Sequence, residues 1–363
     1  MSQPQQNHSS IGKTACNRIH SITGAQVQHL IQKLDVINQF LPSTLPLIQL
    51  ASEEDYTLGE VKGGGGKHVL QECSIIGHLR QIGAFDTDDA SKQPLIAVEL
   101  GAGTGRLSER LQQVSNEEMT HILVDRQEFA SSQCRDGKMR RRANDASSIC
   151  RVVADIATFD LEKYCREQNR CLCLSKHLCG PACDLTIAAL ERIMPSQRPP
   201  FAIATCCHYL CTFDVFAGKQ YWLNLGLTED DFEVAVAVSQ WYSLKKKVDV
   251  NVSVSSQNDD FTPHQADPSI CFKDLINNIP SVLKAHTQTG SSTRLSSEEF
   301  ERTFSSEQKS GLGENVKRLL DILRVVKLQC MGYKADLVLY TNRSIENRLI
   351  VGTTKAEISL NCV

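Results

Sequence analysis

The chain lacks any stretch apolar for long enough to cross a membrane, which excludes a helical span. Its first ten residues are polar and carry no apolar signal segment. It also lacks a large charge excess: 39 Lys and Arg stand against 42 Asp and Glu, a net charge of −3. Any nucleic-acid binding must therefore come from a local patch. No internal repeat and no Cys-x-x-Cys pair is visible, although fifteen cysteines are present. Without a secretion signal these thiols are expected to be reduced, in an intracellular protein of the cytoplasm or nucleus. Core material is plentiful. The sequence is 41% hydrophobic and 22% charged over 363 residues, enough for one large domain with additions or for two.

The most informative stretch runs from Pro94 to Leu111. Leu95 to Val98 is an apolar run with the length of a buried strand, and Glu99 ends it. Gly101, Gly103 and Gly105 follow at alternate positions, and Leu107, Leu111 and Val114 then fall at helical spacing. Strand, glycine turn and helix together form the first unit of a doubly wound nucleotide-binding fold. Glycine suits such a turn because a Cβ would block a ligand from lying against it. A dinucleotide fingerprint needs glycine at its sixth position, where Arg106 stands. The pattern fits S-adenosylmethionine instead. The alternative is a tight turn that holds no ligand.

Residues 1–20 read as a disordered tail. Residues 21–66 read as a helical extension, opened by a capping box at Thr23 and Gln26 and closed by a glycine-rich hinge at Gly63 to Gly66. That hinge is followed by Lys67, but Val61 and His68 break the spacing of a phosphate loop. A main domain is expected over 67–350, with a polar, partly disordered insertion at about 245–300 and a C-terminal tail over 351–363. Within the main domain a helix starts at His68 with the face Val69, Leu70, Cys73, Ile76 and Leu79. Thr120 to Asp125 reads as a second strand, whose terminal acid suits ribose hydroxyls. The basic run from Arg135 through Lys138, Arg140, Arg141 and Arg142 reads as a solvated loop or a phosphate-binding one. Cys150 to Ile156 is a third strand, and Asp155 there could accept from an adenine amino group. Cys171 to Leu174 is a fourth strand, leading into Ser175-Lys-His-Leu-Cys-Gly180. Phe201 to Thr205 is a fifth, leading into Cys206-Cys-His208 and Cys211. Gly218 to Trp222 reads as a loop, and Thr228 as a helix cap. After a helix containing Val316 to Leu323, Lys327–Cys330 and Ala335–Tyr340 are expected to pair as the last strands around Gly332. The expected architecture is α/β, a Rossmann-like sheet of about seven mostly parallel strands with helices on both faces.

Several blocks now occur in one order: Ser74-Ile-Ile-Gly77, Glu99-Leu-Gly-Ala-Gly-Thr-Gly-Arg-Leu-Ser108, Val124-Asp-Arg126, Ser175 to Gly180 with Asp184-Leu185, and Cys206-Cys-His208 with Cys211. Gly218-Lys-Gln-Tyr221, Gly226-Leu-Thr228, Arg318-Leu-Leu-Asp321 and Ser344-Ile-Glu-Asn347 follow. Together they resemble the eukaryotic tRNA 2′-O-ribose methyltransferases that act on the fourth nucleotide of the acceptor stem. The resemblance covers about residues 67–350. It implies a class I S-adenosylmethionine-dependent methyltransferase with tRNA as partner, and neither DNA nor membrane. Many members begin with cysteine- and histidine-rich zinc modules, which Cys16, His8, His20 and His29 do not make. No such module, and weaker RNA anchoring, is therefore expected. Tyr209 and Leu210 replace the family's usual histidine and arginine, Phe213 displaces its tryptophan, and Cys183 replaces its threonine.

Methyl transfer to a ribose hydroxyl needs that hydroxyl held close to the sulfonium methyl and its proton removed. Lys176 and His177, then His208, are the expected catalytic groups. Glu99, Gly101, Gly103, Gly105, Asp125, Asp155 and Ser175 are the expected cofactor contacts. The alternative is that Lys176 and the histidines only brace their loops. No metal is expected, although Cys179, Cys183, Cys206, Cys207, His208 and Cys211 offer zinc-type donors. Two other functions stay open: a catalytically silent RNA-binding or scaffold protein, and a methyltransferase for a non-RNA acceptor.

Overall fold

The computed structural model describes residues 22–50, 66–86, 95–143, 148–166, 170–242, 271–279, 304–342 and 344–354. The expected tail over 1–20, Gly63 to Gly65 of the hinge, most of the 245–300 insertion and residues 355–363 lie outside these. The described elements are helices α1 (Gly24–Asn38), α2 (Gly66–Gln81), α3 (Arg106–Val114), α4 (Asp136–Ala143), α5 (Pro181–Arg192), α6 (Lys219–Asn224), α7 (Glu229–Val238), α8 (Phe272–Asn278) and α9 (Ser306–Cys330). The strands are β1 (Leu95–Leu100), β2 (Met119–Asp125), β3 (Ile149–Val153), β4 (Arg170–Cys179), β5 (Phe201–Cys206), β6 (Lys334–Leu339) and β7 (Arg348–Thr353). The chain divides into two compact units, Thr44–Cys206 with Arg324–Val363, and Met1–Ser43 with Cys207–Leu323.

The first unit carries a mixed seven-stranded sheet in the order β3-β2-β1-β4-β5-β7-β6. Strands β1 to β5 pair in parallel, and β7 runs antiparallel to both β5 and β6. Alternate positions explain the burial. Leu95, Ala97, Leu172, Leu174, Ala202 and Ala204 pack with Ile75, Ile76 and Leu79 of α2 and Leu107 and Leu111 of α3. Their neighbours Val98, Cys171, Cys173, Phe201 and Ile203 are buried as well. A sheet apolar at every position is covered on both faces. Ser74 and Gly77 gain a role here. The Ser74 hydroxyl accepts the Leu50 N–H at 3.1 Å, and a Cβ on Gly77 would lie 2.4 Å from the Leu50 carbonyl oxygen.

Three expectations need correction. Lys327–Cys330 is not a strand. It is the last turn of α9, whose apolar spacing continues through Val325, Val326 and Leu328, all buried. The partner of β6 is β7, which runs on past residue 350 to Thr353. The basic run from 136 is helix α4 rather than a loop, anchored by the buried Met139 against Ala102, Leu123 and Ile149. Gly218 to Trp222 likewise opens helix α6, with the Trp222 N–H donating to the Gly218 carbonyl at 3.0 Å.

The second unit packs α1, α6, α7 and the part of α9 up to Leu323. Both expected caps are present: Thr23 with Gln26 on α1, and Thr228 with Asp231 on α7. Val27, Leu30, Leu34 and Ile37 bury one face of α1. Phe213, Phe216 and Trp222 surround Phe232 with ring centroids 5.0 to 5.4 Å apart. The buried ammonium of Lys33 is paired with Asp231 at 2.7 Å.

Candidate active site

After Glu99 and Leu100 the chain turns through Gly101, Gly103 and Gly105, whose φ angles are 68°, 52° and 82°. Side chains are strained there, but the surroundings of the three differ. A Cβ on Gly105 would meet Leu123 at 3.2 Å and Arg151 at 3.3 Å, and one on Gly101 the His177 carbonyl oxygen at 3.3 Å. One on Gly103 would meet nothing within 4 Å. Gly103 therefore faces open space while the turn is clamped around it. Its N–H donates to Asp125 Oδ2 at 2.8 Å, and its carbonyl accepts from Arg151 at 2.7 Å. Arg151 is itself fixed by two bonds to Asp136, at 2.7 and 2.9 Å. Burial pushes the Asp136 carboxyl up, and Arg151 more than offsets this, leaving it below its usual range.

Glu99 is buried and accepts the Ser108 N–H at 3.0 Å. Ser108 is the third residue of α3, whose N-cap Gly105 has no side chain to offer. The strand thus supplies the helix cap. Burial pushes the Glu99 carboxyl up to about 7, with Ser108 acting against the shift. Asp125 Oδ1 accepts the Gln127 N–H at 2.9 Å, and the exposed Asp155 accepts that of Ala157 at 2.9 Å.

The Ser175-Lys-His-Leu-Cys block lies inside β4, where the register with β5 shifts between Ser175 and Leu178. A bulge places two consecutive side chains against one environment. Ser175 and Lys176 are accordingly both buried, while His177 is exposed. The Ser175 hydroxyl has no hydrogen-bond partner and lies 4.0 Å from where a Gly101 Cβ would be. Lys176 is 9% exposed and donates to Glu72 at 2.8 Å and to the His68 carbonyl at 3.3 Å; His68 Nδ1 is 3.4 Å away. Glu72 is 2% exposed and also faces Arg106 at 3.4 Å and Arg110 at 4.0 Å. Burial lowers the Lys176 pKa, and Glu72 partly restores it. Burial first, then the Lys176 and Arg106 charges, lowers that of His68.

One unit thus brings together the glycine turn, Glu99, Asp125, Ser175, Lys176 and His177, with Asp155 just past β3. His208 belongs to the other unit. It is buried, with Nε2 2.9 Å from both carboxylate oxygens of Asp321. Among the residues weighed as zinc donors, Cys179 and Cys206 stand in register on β4 and β5 with their sulfurs 3.2 Å apart. Sequence reasoning missed Glu72, His68, Arg106, Arg110 and the Arg151–Asp136 clamp. One signal was present. Glu72 falls on the apolar face of α2, three residues after Val69 and four before Ile76, where an acid needs a buried partner.

A family model described as "Methyltransferase TRM13" matches residues 70–353. The curated protein "tRNA:m(4)X modification enzyme TRM13 homolog" of Dictyostelium discoideum is 26% identical over 298 residues, covering 78% of this chain and 52% of its own length. The TRM13 enzyme of Schizosaccharomyces pombe is 24% identical, with 80% of this chain and 68% of its own length covered. The Homo sapiens homolog is 26% identical, with coverages of 92% and 74%. The chain spans about half the length of the Dictyostelium relative. Because the match runs from α2 and its Glu72, through the glycine turn and the bulged strand, to the end of β7, this chain belongs to the TRM13 methyltransferase family.

Proposed function

We propose that the chain is a Rossmann-like class I methyltransferase that transfers the methyl of S-adenosylmethionine to a ribose 2′-hydroxyl in the acceptor stem of tRNA. Family membership supports methyl transfer, and the relatives' names supply tRNA as the substrate class. The observation that carries the reaction type is a buried lysine on the β4 bulge, beside an open glycine turn. The turn fits the cofactor. Gly103 fronts open space, and the buried Ser175 hydroxyl, near Gly101 of the same turn, lacks a partner. Gly101, Gly103 and Gly105 would cradle it, Asp125 and Asp155 would take its ribose and adenine, and Ser175 its remaining polar edge. Glu99 holds α3 in place behind the turn.

When bound, the sulfonium supplies an activated methyl, so no metal is needed for the displacement. The protein's task is to place the hydroxyl and take its proton. Lys176 performs the second step. Burial favours its neutral form, which accepts the hydroxyl proton, and Glu72 and the His68 carbonyl then hold the ammonium that results. His177, exposed on the same bulge, would contact the tRNA. His208, locked to Asp321, positions its own segment.

Methyl transfer from labelled cofactor to unmodified total tRNA, followed by nucleoside analysis, tests this reading. Label in 2′-O-methylated nucleosides is the expected result. Label in bases, or cofactor binding without transfer, would replace it with another acceptor or with a silent scaffold.

A further inference from the structure

We infer that the exposed face of α4 is a docking surface for the phosphate backbone of the RNA substrate. The inference rests on the functional reading above for the class of ligand and on the structure for the place. Between Arg135 and Arg142 lie five cations and one acid, in a chain whose net charge is −3. That acid, Asp136, is committed to Arg151 at 2.7 Å and makes no ion pair with Lys138, Arg141 or Arg142 among the described residues. Arg135 faces Glu109 at 3.5 Å, and Arg140 donates to the Ile149 carbonyl at 3.2 Å. Lys138, Arg141 and Arg142 are exposed. They lie three and four residues apart, so all three share one side of the helix.

Packing does not require that arrangement, although the helix dipole favours Arg141 and Arg142 in the last turn. Like charges at these spacings each weaken a helix by about 0.2–0.5 kcal/mol, and only Met139 and Asp136 face inward on this short helix. An exposed cationic row with no packing role matches a row of phosphates, each of which releases counterions on contact. The location suits the reaction too. The Arg135 N–H donates to the Thr104 carbonyl at 2.9 Å, in the middle of the glycine turn. A strand of RNA lying on α4 would pass beside the cofactor cradle.

The test compares the wild-type chain with a Lys138→Gln, Arg141→Gln, Arg142→Gln variant. Binding of unmodified tRNA is followed by fluorescence anisotropy over a series of salt concentrations, alongside calorimetric cofactor binding and steady-state kinetics. The expected result is a tRNA Kd raised on the order of 10-fold at 0.1 M salt, and a salt slope reduced by about 2–3. KM for tRNA should rise by the same factor, with kcat at saturating tRNA and cofactor Kd unchanged. A second variant, Arg141→Lys with Arg142→Lys, keeps the charge and should bind as wild type does. A triple variant with wild-type Kd and salt slope overturns the inference and leaves the functional reading standing. So does a loss of cofactor binding equal to the loss of tRNA binding, which would assign α4 to the fold alone. A wild-type chain that neither binds nor methylates tRNA fails the functional reading first, and this inference with it.

Discussion

Glu72 sets the chemistry available to Lys176. A lone buried ammonium is costly, and one carboxylate 2.8 Å away makes it tenable. Lys176→Ala is expected to lower methyl transfer by about 10²- to 10⁴-fold with cofactor Kd unchanged, measured by single-turnover transfer and calorimetry. Glu72→Gln removes the charge that favours the ammonium, leaving Arg106 and His68 facing the lysine. The rise of kcat with pH should then begin at lower pH than in wild type, and a rise at the same pH would remove Lys176 from proton transfer. Lys176 was legible in the sequence because its block is distinctive. Glu72 was legible only as an acid on an apolar helix face that needs a buried partner; that the partner is a lysine 104 residues on is decided by the fold. His121 makes a different point. It is 0% exposed on β2, neither ring nitrogen has a hydrogen-bond partner, and burial holds its pKa down to about 4. The unfolded chain takes up this proton near pH 6.5, so stability is lost as pH falls from there toward 4. His121→Leu should be more stable than wild type in urea titrations, by a margin that grows by about 3 kcal/mol over that window.

Among the elements, the strand, turn and helix around Gly101 to Gly105 were legible, since glycine periodicity and apolar spacing are local signals, although β1 runs on through the buried Glu99 to Leu100. The bulge in β4 was not, because a register shift is decided by the neighbouring strand. The last strand pair was misread for a related reason. Lys327 to Cys330 carries nothing that stops a helix, and Gly332, with φ of 92°, ends it two residues later. Within the glycine turn, the three positions should respond differently to substitution. Gly103→Ala enters open space and should cost about 1–2 kcal/mol for its φ, yet abolish cofactor binding. Gly105→Ala meets Leu123 and Arg151 as well, so it should lower the melting temperature further. Thermal melts beside calorimetry separate the two, and a Gly103→Ala variant that binds cofactor normally would empty the cradle. Several motifs that carried the family resemblance also have plain packing roles: Gly77 admits Leu50, Thr228 caps α7 and Asp321 holds His208.

Across the whole molecule, neither compact unit is a continuous stretch of sequence, and α9 contributes residues to both. In the sequence α9 reads as one unbroken helix and offers no linker between the units. In the sheet, β7 is inserted between β5 and β6 although it comes last. A chain ending after Thr341 should therefore leave β5 and β6 without their shared partner. It is expected to be insoluble, or to lose its near-ultraviolet circular dichroism, while the full chain keeps both. The same order of strands matters while the protein is being made. Phe201 to Cys206 is apolar at nearly every position and leaves the ribosome well before Arg348 to Thr353 exists to cover its edge. At about 5–20 residues per second, that edge is unpaired for on the order of ten seconds. During this interval the nascent chain displays a sticky strand, and a holding chaperone or slow translation of the last segment would decide how much of it reaches the finished sheet.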